Sequence, residues 1–290
     1  MKTRIHLFMI VCALCFISCN DVEELIPTEG SRQISFHMQA LNYGEQTPLL
    51  AQTRAESGLA KPESLLCVDV MDGVIKNVSE TSWSADPLLL DLEFGNHTLY
   101  FVAAKNKYAT FDQSKLTAKW EGSGDNKLNI VWAETVQLEV KRETLTDQSV
   151  GLKLVVAQLV LKIKDAVPQN VGSFTTSGSG LSWTLELTTM NGKSEGVTNK
   201  LAATTEDKTI IGQTNQEIKT YTFVPASKEV GAVTFQAHTN ENVLIKEYTV
   251  TDVQVEKGYR SIYTGWFFNN SGGFTFTYDT EWKGEYNFNF

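Results

Sequence analysis

Alternation of apolar and polar residues is the feature that most restricts what this chain can fold into. Ile34, Phe36 and Met38 alternate with polar residues, and the same period of two recurs over residues 181–187 and 233–237. A period of two places every second side chain of a strand against a core. Clusters of Gly, Asn and Ser separate these segments, which is typical of β-sandwiches. We therefore expect an all-β fold.

The longest apolar segment outside the first 20 residues, 150–165, extends this prediction. A helix remains an alternative for it, but the alternation favours a strand. The alternating apolar residues stand at even positions over 152–156 and at odd positions over 159–163. The phase of the alternation therefore slips by one residue near residues 157–158. A slip by one residue indicates either a β-bulge or a bend between two sheets.

The first 19 residues have the anatomy of a secretory leader. Lys2 and Arg4 precede an apolar run over residues 5–17, which suits a signal peptide and is short for a membrane span. The run ends in Ser18-Cys19, and a small residue before such a cysteine resembles the lipobox of bacterial lipoproteins. There the cysteine is acylated, for example with palmitate, and becomes the first mature residue. We predict a lipoprotein signal peptide over 1–18 and lipidation at Cys19, with an ordinary signal peptide as the alternative.

Residues 19–30 are predicted to be a lipidated, flexible tether because they are polar, acidic and without periodicity. Residues 20–24, Asn-Asp-Val-Glu-Glu, resemble the acidic export signal of Bacteroidales-type lipoproteins displayed on the outer face of the outer membrane. A solvated acidic tether is the alternative interpretation. The predicted location is therefore the outer membrane, with the chain lipid-anchored at the cell surface.

Chain length and charge limit the number of domains and the partners. Of the 290 residues, roughly 270 remain after processing, which suggests two domains at ~100 to 150 residues each. A polar run over 141–149 separates an expected first domain, 31–145, from an expected second domain, 149–290. Loss of Lys2 and Arg4 leaves 23 basic residues against 34 acidic ones, a formal charge of −11. This charge disfavours nucleic acid and anionic lipid as partners.

Three consecutive segments carry a resemblance to a known family. Residues 65–73 form a predicted strand that closes in an Asp-Gly turn, residues 88–94 a second, and residues 95–104, Gly-Asn-His-Thr-Leu-Tyr-Phe-Val-Ala-Ala, a third. This succession resembles the fimbrillin superfamily of Bacteroidales-type bacteria, particularly the anchor and accessory subunits that are bound to the membrane. With gaps, the resemblance runs from Ile34 to the end of the chain.

The resemblance implies two tandem β-sandwich domains, transthyretin-like in style, in a cell-surface fimbria (pilus). It also implies assembly with other fimbrial subunits by β-strand complementation, and a role in cell adhesion to a host or glycan ligand. The resemblance transfers no invariant functional residue to this chain.

Arg54 and Ala55 lie in a predicted loop over 42–62. Fimbrial shaft subunits of this bacterial group are matured by a cut after an arginine in a comparable early segment. Loss of the strand before such a cut opens a groove that a neighbour's strand can fill. A cut between Arg54 and Ala55 would make the chain a shaft or tip subunit. The alternative is an ordinary exposed arginine.

The motifs of common catalytic and cofactor sites are not found in the sequence. We find no G-x-S-x-G, H-E-x-x-H, P-loop, G-x-G-x-x-G or paired-cysteine zinc spacing. We therefore predict a chain that is not an enzyme, with no catalytic residue, no metal and no cofactor. The pair Asp125 and Asn126 matches no known calcium loop, and Cys67 is predicted to be a buried, inert thiol.

A surface lipoprotein that binds glycans is the alternative from another functional class. Exposed aromatic rings can stack on sugars, and the candidates are Trp83, Trp120, Trp266 and Trp282. Most aromatic residues of a sandwich fill its core, so this hypothesis requires several of these rings to be exposed together.

Overall fold

Every regular element that the computed structural model describes is a β-strand. The described residues are 30–41, 61–204 and 209–269, with the backbone of 275–279. Within these ranges no helix is long and apolar enough to cross a membrane. The all-β prediction is confirmed.

The strands form four sheets. The first, in the order β3-β2-β5-β8-β9-β1-β4, contains β1 (Ser31–Leu41), β2 (Ser64–Met71), β3 (Val74–Ser82), β4 (Leu88–Glu93), β5 (Gly95–Ala104), β8 (Val131–Val140) and β9 (Asp147–Leu154). The second, β15-β10-β18-β19, contains β10 (Val156–Ile163), β15 (Gln216–Phe223), β18 (Arg260–Gly265) and β19 (Thr275–Asp279). The third, β14-β11-β16-β17, contains β11 (Ser173–Gly178), β14 (Val197–Ala202), β16 (Glu229–His238) and β17 (Leu244–Gln254). The fourth, β13-β12-β7-β6, contains β6 (Thr110–Asp112), β7 (Thr117–Lys119), β12 (Thr184–Glu186) and β13 (Asn191–Gly192).

The first sheet folds over itself to enclose the first core. Strands β8 and β9 pair at Trp132↔Leu154 and Ala133↔Lys153, a short contact at which the sheet bends. The half β3-β2-β5-β8 then faces the half β9-β1-β4. The rings of Phe36 on β1 and Phe101 on β5 meet between the halves with centroids 5.3 Å apart.

The second and third sheets pack face to face around a separate core. Leu159, Leu161 and Ile163 on β10 are fully buried in it, as is Phe235 on β16. The ring of Phe235 lies 6.2 Å from that of Tyr263 on β18. Two four-stranded sheets with alternating inward side chains form a β-sandwich.

The chain passes from the first domain to the second at Val155. The predicted strand over 150–165 is divided there into β9, which pairs with β1 and β8, and β10, which pairs with β15 and β18. The phase slip therefore marks a bend between sheets. The domain limits expected at 145 and 149 stay predictions. We use first domain for the first sheet with its core, and second domain for the second and third sheets with theirs.

The predicted Asp-Gly turn after the second strand is present. Asp72 and Gly73 have φ of 51° and 76° and connect β2 to β3. Positive φ at both central residues is the geometry of a type I′ hairpin turn. The period-two segment over 233–237 likewise lies within β16.

Residues 114–120 form no helical turn in the structure. These residues belong to a hairpin, in which β6 and β7 flank a turn over 113–116 and Leu116 has a φ of 50°. Strand β7 pairs with β12 of the second domain, so the fourth sheet joins the two domains. Packing overrides local propensity here, because Trp120 after β7 is fully buried, 5.2 Å from the ring of Phe223.

Trp120 tests the strength of this junction. Its indole Nε1 donates to the carbonyl oxygen of Asn106 at 2.8 Å. Trp120→Phe removes the donor and part of the ring, so we expect the free energy of unfolding to fall by about 1 to 3 kcal/mol. Urea denaturation measures this loss. Trp266→Phe, at a ring that is 44% exposed, is the matched control and should change stability by less than about 0.5 kcal/mol.

Candidate strand-assembly site

β1 is held by hydrogen-bonded neighbours on both of its edges. It pairs antiparallel with β4 over six residue pairs and parallel with β9 over seven. The backbone N–H of Ser35 also donates to the carbonyl oxygen of Thr146. If β1 were absent, both neighbouring strands would present unpaired backbone groups, and we name the space that β1 fills between β4 and β9 the β1 slot.

The side chains of β1 follow the predicted alternation. Ile34 and Phe36 are fully buried, Met38 is partly buried against the same core, and His37 on the opposite face is exposed. The His37 Nε2 lies 3.6 Å from an Asp147 carboxylate oxygen on β9. The β1 slot therefore combines two backbone edges with pockets for every second side chain, which is what an inserted strand needs.

Close contacts limit what fits at the two ends of the β1 slot. At the start, the N–H of Phe94 donates to the carbonyl oxygen of Gly30, and a Cβ at Gly30 would lie 2.7 Å from the Phe94 ring. At the far end, a Cβ at Gly151 of β9 would lie 2.6 Å from the Cδ1 of Leu41. The side chain of Leu41 thus occupies the space that a side chain at Gly151 would fill. This close fit restricts the register that a strand can adopt in the β1 slot.

A buried polar contact fixes the strand next to the slot. Nδ1 of His97 lies 2.7 Å from the carboxylate of Asp69, and its Nε2 lies 2.8 Å from the carbonyl oxygen of Glu93. His97 and Asp69 are both buried. Each ring nitrogen of His97 thus has an oxygen partner within hydrogen-bond distance. The contact ties the end of β4 to β2 and β5.

Two outer strands of the first sheet are candidates for pairing with another chain. In the described sheet order β3 and β4 stand at the edges. Their ends are joined by an ion pair between Lys76 Nζ and Glu93 Oε2 at 2.8 Å. Exposed edge strands offer unpaired backbone groups to a neighbouring strand. Leu89 on β4 and Val74 on β3 are exposed to 53% and 60%, so each edge also carries an apolar side chain.

The predicted lipidation and cleavage residues are not part of this geometry. Cys19, Arg54 and Ala55 lie outside the described residues. Their roles therefore stay predictions. The structure does locate β1 between them in the chain, so that a cut after Arg54 would separate β1 from the rest of its sheet.

Of the three aromatic candidates for glycan binding that the structure describes, one is exposed. Trp120 is fully buried, Trp83 is partly buried against the first core, and Trp266 is exposed after β18 of the second domain. Trp282 lies outside the described residues.

The side chain of Asn126, which the sequence places beside Asp125, holds a loop together. Its two amide hydrogens donate to the carbonyl oxygens of Lys107 and Tyr108.

A cleft of about 720 Å³ lies at the end of β2, β3 and β5. Its ionic groups contact one another: Lys105 pairs with Glu63, Lys107 pairs with Glu80, and the hydroxyl of Tyr108 donates to Glu80. Burial, and then the Glu80 contact, raise the pKa of Tyr108. Because these charges compensate each other, we assign no ligand to the cleft.

Cys67 is buried on β2, as predicted. Burial, and then the nearby Asp69 carboxylate, raise the pKa of its thiol. Since the thiolate is the reactive form, we expect Cys67 in the folded chain without residues 1–19 to resist a thiol reagent at pH 8. The same reagent should titrate one thiol after denaturation. Fast labelling of the folded protein would contradict this burial.

The fold of this chain is similar to the folds of solved bacterial proteins. No family model matches the chain, and no curated protein matches it. Among solved structures, an adhesin candidate from Bacteroides thetaiotaomicron is similar over 87% of this chain and 97% of its own, with 10% identity and a TM-score of 0.53. The fimbrial anchor protein Mfa2 from Porphyromonas gingivalis is similar over 81% of this chain and 91% of its own, with 12% identity and a TM-score of 0.52. The predicted resemblance to fimbrial subunits is thus confirmed at the level of the fold, which this chain shares with a fimbrial anchor protein.

Proposed function

We propose that this chain is a non-enzymatic outer-membrane lipoprotein that serves as an anchor or accessory subunit of a fimbria and supports adhesion. The observation that carries the proposal is the two-domain β fold shared with a fimbrial anchor protein over 91% of that protein's length. The lipobox-like sequence before Cys19 supports the anchor role in particular. Lipid on Cys19 holds one end in the membrane, and residues 20–30 lead to β1.

Assembly with the next subunit proceeds by strand pairing. Strands β3 and β4 offer main-chain groups at the two edges of the first sheet. Main-chain hydrogen bonds to an added strand supply affinity, and pockets for alternate side chains supply specificity. The accepted strand is therefore expected to come from another fimbrial subunit and to carry an apolar residue at every second position.

A shaft or tip subunit is the second candidate, and the position of β1 favours it specifically. β1 precedes Arg54, and β4 and β9 flank it on both sides. A cut after Arg54 followed by loss of β1 opens the β1 slot, including the pockets of Ile34 and Phe36, to a neighbour's strand. The lipid on Cys19 then belongs to a transport stage and is removed with residues 19–54.

Cys19→Ala in the native organism tests the anchor role. Without the thiol no acyl chain is attached, and two or more chains are needed for stable anchoring. We expect the variant to leave the membrane fraction and fimbriae to be shed into the medium, as immunoblots of fractionated cells would reveal. Ser18→Ala keeps a small residue before the cysteine and is the control that should remain attached. A Cys19→Ala protein that stays in the outer membrane would refute lipid anchoring at this residue.

A further inference from the structure

The first domain begins and ends on neighbouring parallel strands. β1 and β9 pair in parallel from Ser35↔Asp147 to Leu41↔Lys153. The amino-terminal end of β1 and the carboxyl-terminal end of β9 therefore lie at opposite ends of one ladder. Tension that pulls these two ends apart slides the strands along each other, and all seven residue pairs resist together.

The first strand of the second domain also has a parallel neighbour, but that neighbour is not the last strand of its sheet. β10, its first strand, pairs in parallel with β18 from Gln158↔Arg260 to Ile163↔Gly265. The chain reaches this ladder at the amino-terminal end of β10 and leaves β18 at the opposite end. Tension between these points again acts along the strands. β19 then returns antiparallel along β18, from Thr264↔Thr275 to Arg260↔Asp279, so tension from beyond Asp279 would open the β18–β19 pairing one bond at a time.

The exit from β18 is secured by a buried carboxylate. Asp165, two residues after β10, accepts the backbone N–H groups of Phe267, Phe268 and Asn269 at 2.9, 2.7 and 2.9 Å. Lys164 N also donates to the carbonyl oxygen of Gly265. The segment that leaves β18 is thus bound to the segment that leaves β10, at the carboxyl-terminal end of both strands.

The junction between the domains joins the two ladders end to end. Val155 alone separates β9 from β10, and its N–H donates to the carbonyl oxygen of Val131. The pairing of β7 with β12 adds a second connection between the domains beside the chain itself. Backbone bonds from Trp120 to Trp183 and from Leu187 to Leu116 extend that connection at both ends.

We propose that the first domain is a tension element, loaded in shear along β1 and β9. The source of the tension rests on the proposed function, in which one end is held in the membrane and the other in a fimbria. The resistance itself is a property of the isolated chain. It follows from the direction of β1 against β9.

Single-molecule pulling on the mature full chain tests the proposal in the first domain. Handles attach through cysteines, in a Cys19→Ser background and with Cys67 buried. One protein carries Gln33→Cys with Lys153→Cys, which loads β1 and β9 from opposite ends. Its matched control carries Gln39→Cys with Lys153→Cys, which loads them from the same end. Gln33 and Gln39 are exposed residues on the same face of β1, so the two proteins differ in the direction of load.

We expect the rupture force of the first protein to be at least about twofold that of the control at one pulling speed, since the hydrogen bonds break together rather than in turn. Urea midpoints of the two proteins should agree, which separates mechanical direction from overall stability. Equal rupture forces, or a stronger control, would overturn the proposal and leave the anchor role standing. An unlipidated Cys19 would contradict the anchor role without changing the force ratio.

Discussion

Phe36→Ala is expected to lower the free energy of unfolding by about 3 to 5 kcal/mol, the range for truncating a buried aromatic ring. Phe36 is fully buried on β1, and its ring packs 5.3 Å from that of Phe101 on the opposing half of the sheet. Alanine leaves a cavity between the two halves of the first sheet. Because a domain is stabilised by only about 5 to 15 kcal/mol, the first domain should become marginal.

Urea denaturation of the mature chain without lipid measures this effect as a lower midpoint. His37→Ala, one position along β1, is the matched control, since its side chain is 52% exposed. It should change the stability by less than about 0.5 kcal/mol. Similar losses for the two variants would mean that β1 does not present alternate residues to the core, and the β1 slot as described would be incorrect.

Asp165→Ala is the second change with a large expected effect. The buried carboxylate accepts three backbone N–H groups, from residues 267 to 269. Leaving a buried donor unsatisfied costs about 1 to 3 kcal/mol per group, so the variant should lose at least about 3 kcal/mol unless the segment moves to water. In either case the amides of residues 267–269 should exchange hydrogen much faster.

Hydrogen exchange followed by mass spectrometry measures that loss directly, with urea denaturation beside it. Lys164→Ala is the matched control, because Lys164 is exposed and contributes a backbone bond that the substitution keeps. Asp165→Asn replaces one acceptor oxygen by a donor and should fall between the wild type and Asp165→Ala. Unchanged exchange in Asp165→Ala would show that the carboxylate does not hold the exit from β18.

Local patterns predicted the elements that repeat a simple rule. The alternation of Ile34 and Phe36 located β1 and its buried face, and the Asp-Gly pair located the turn after β2. The phase slip in the segment over 150–165 indicated a bulge or a bend, because each sheet fixes the face that a strand can bury. The sequence pattern could not distinguish a bulge from a change of sheet, since both shift the parity by one residue.

The elements that escaped prediction depend on contacts between distant residues. Strands of two or three residues, such as β7 and β12, are too short to show a period, and their pairing joins positions 118 and 185. Asp165 meets its donors about a hundred residues later, and His97 meets Asp69 across 28 residues. A single buried Asp or His resembles any other in a sequence, so no local signal could have identified either contact.

Intact mass spectrometry of the protein purified from its native outer membrane tests most directly whether the chain reaches that membrane uncut and lipidated. We predict a chain that begins at Cys19, carries the mass of attached acyl groups and retains residues 20–54. A chain that begins at Ala55 in high-molecular-weight polymers would contradict the anchor role and establish the shaft or tip subunit instead.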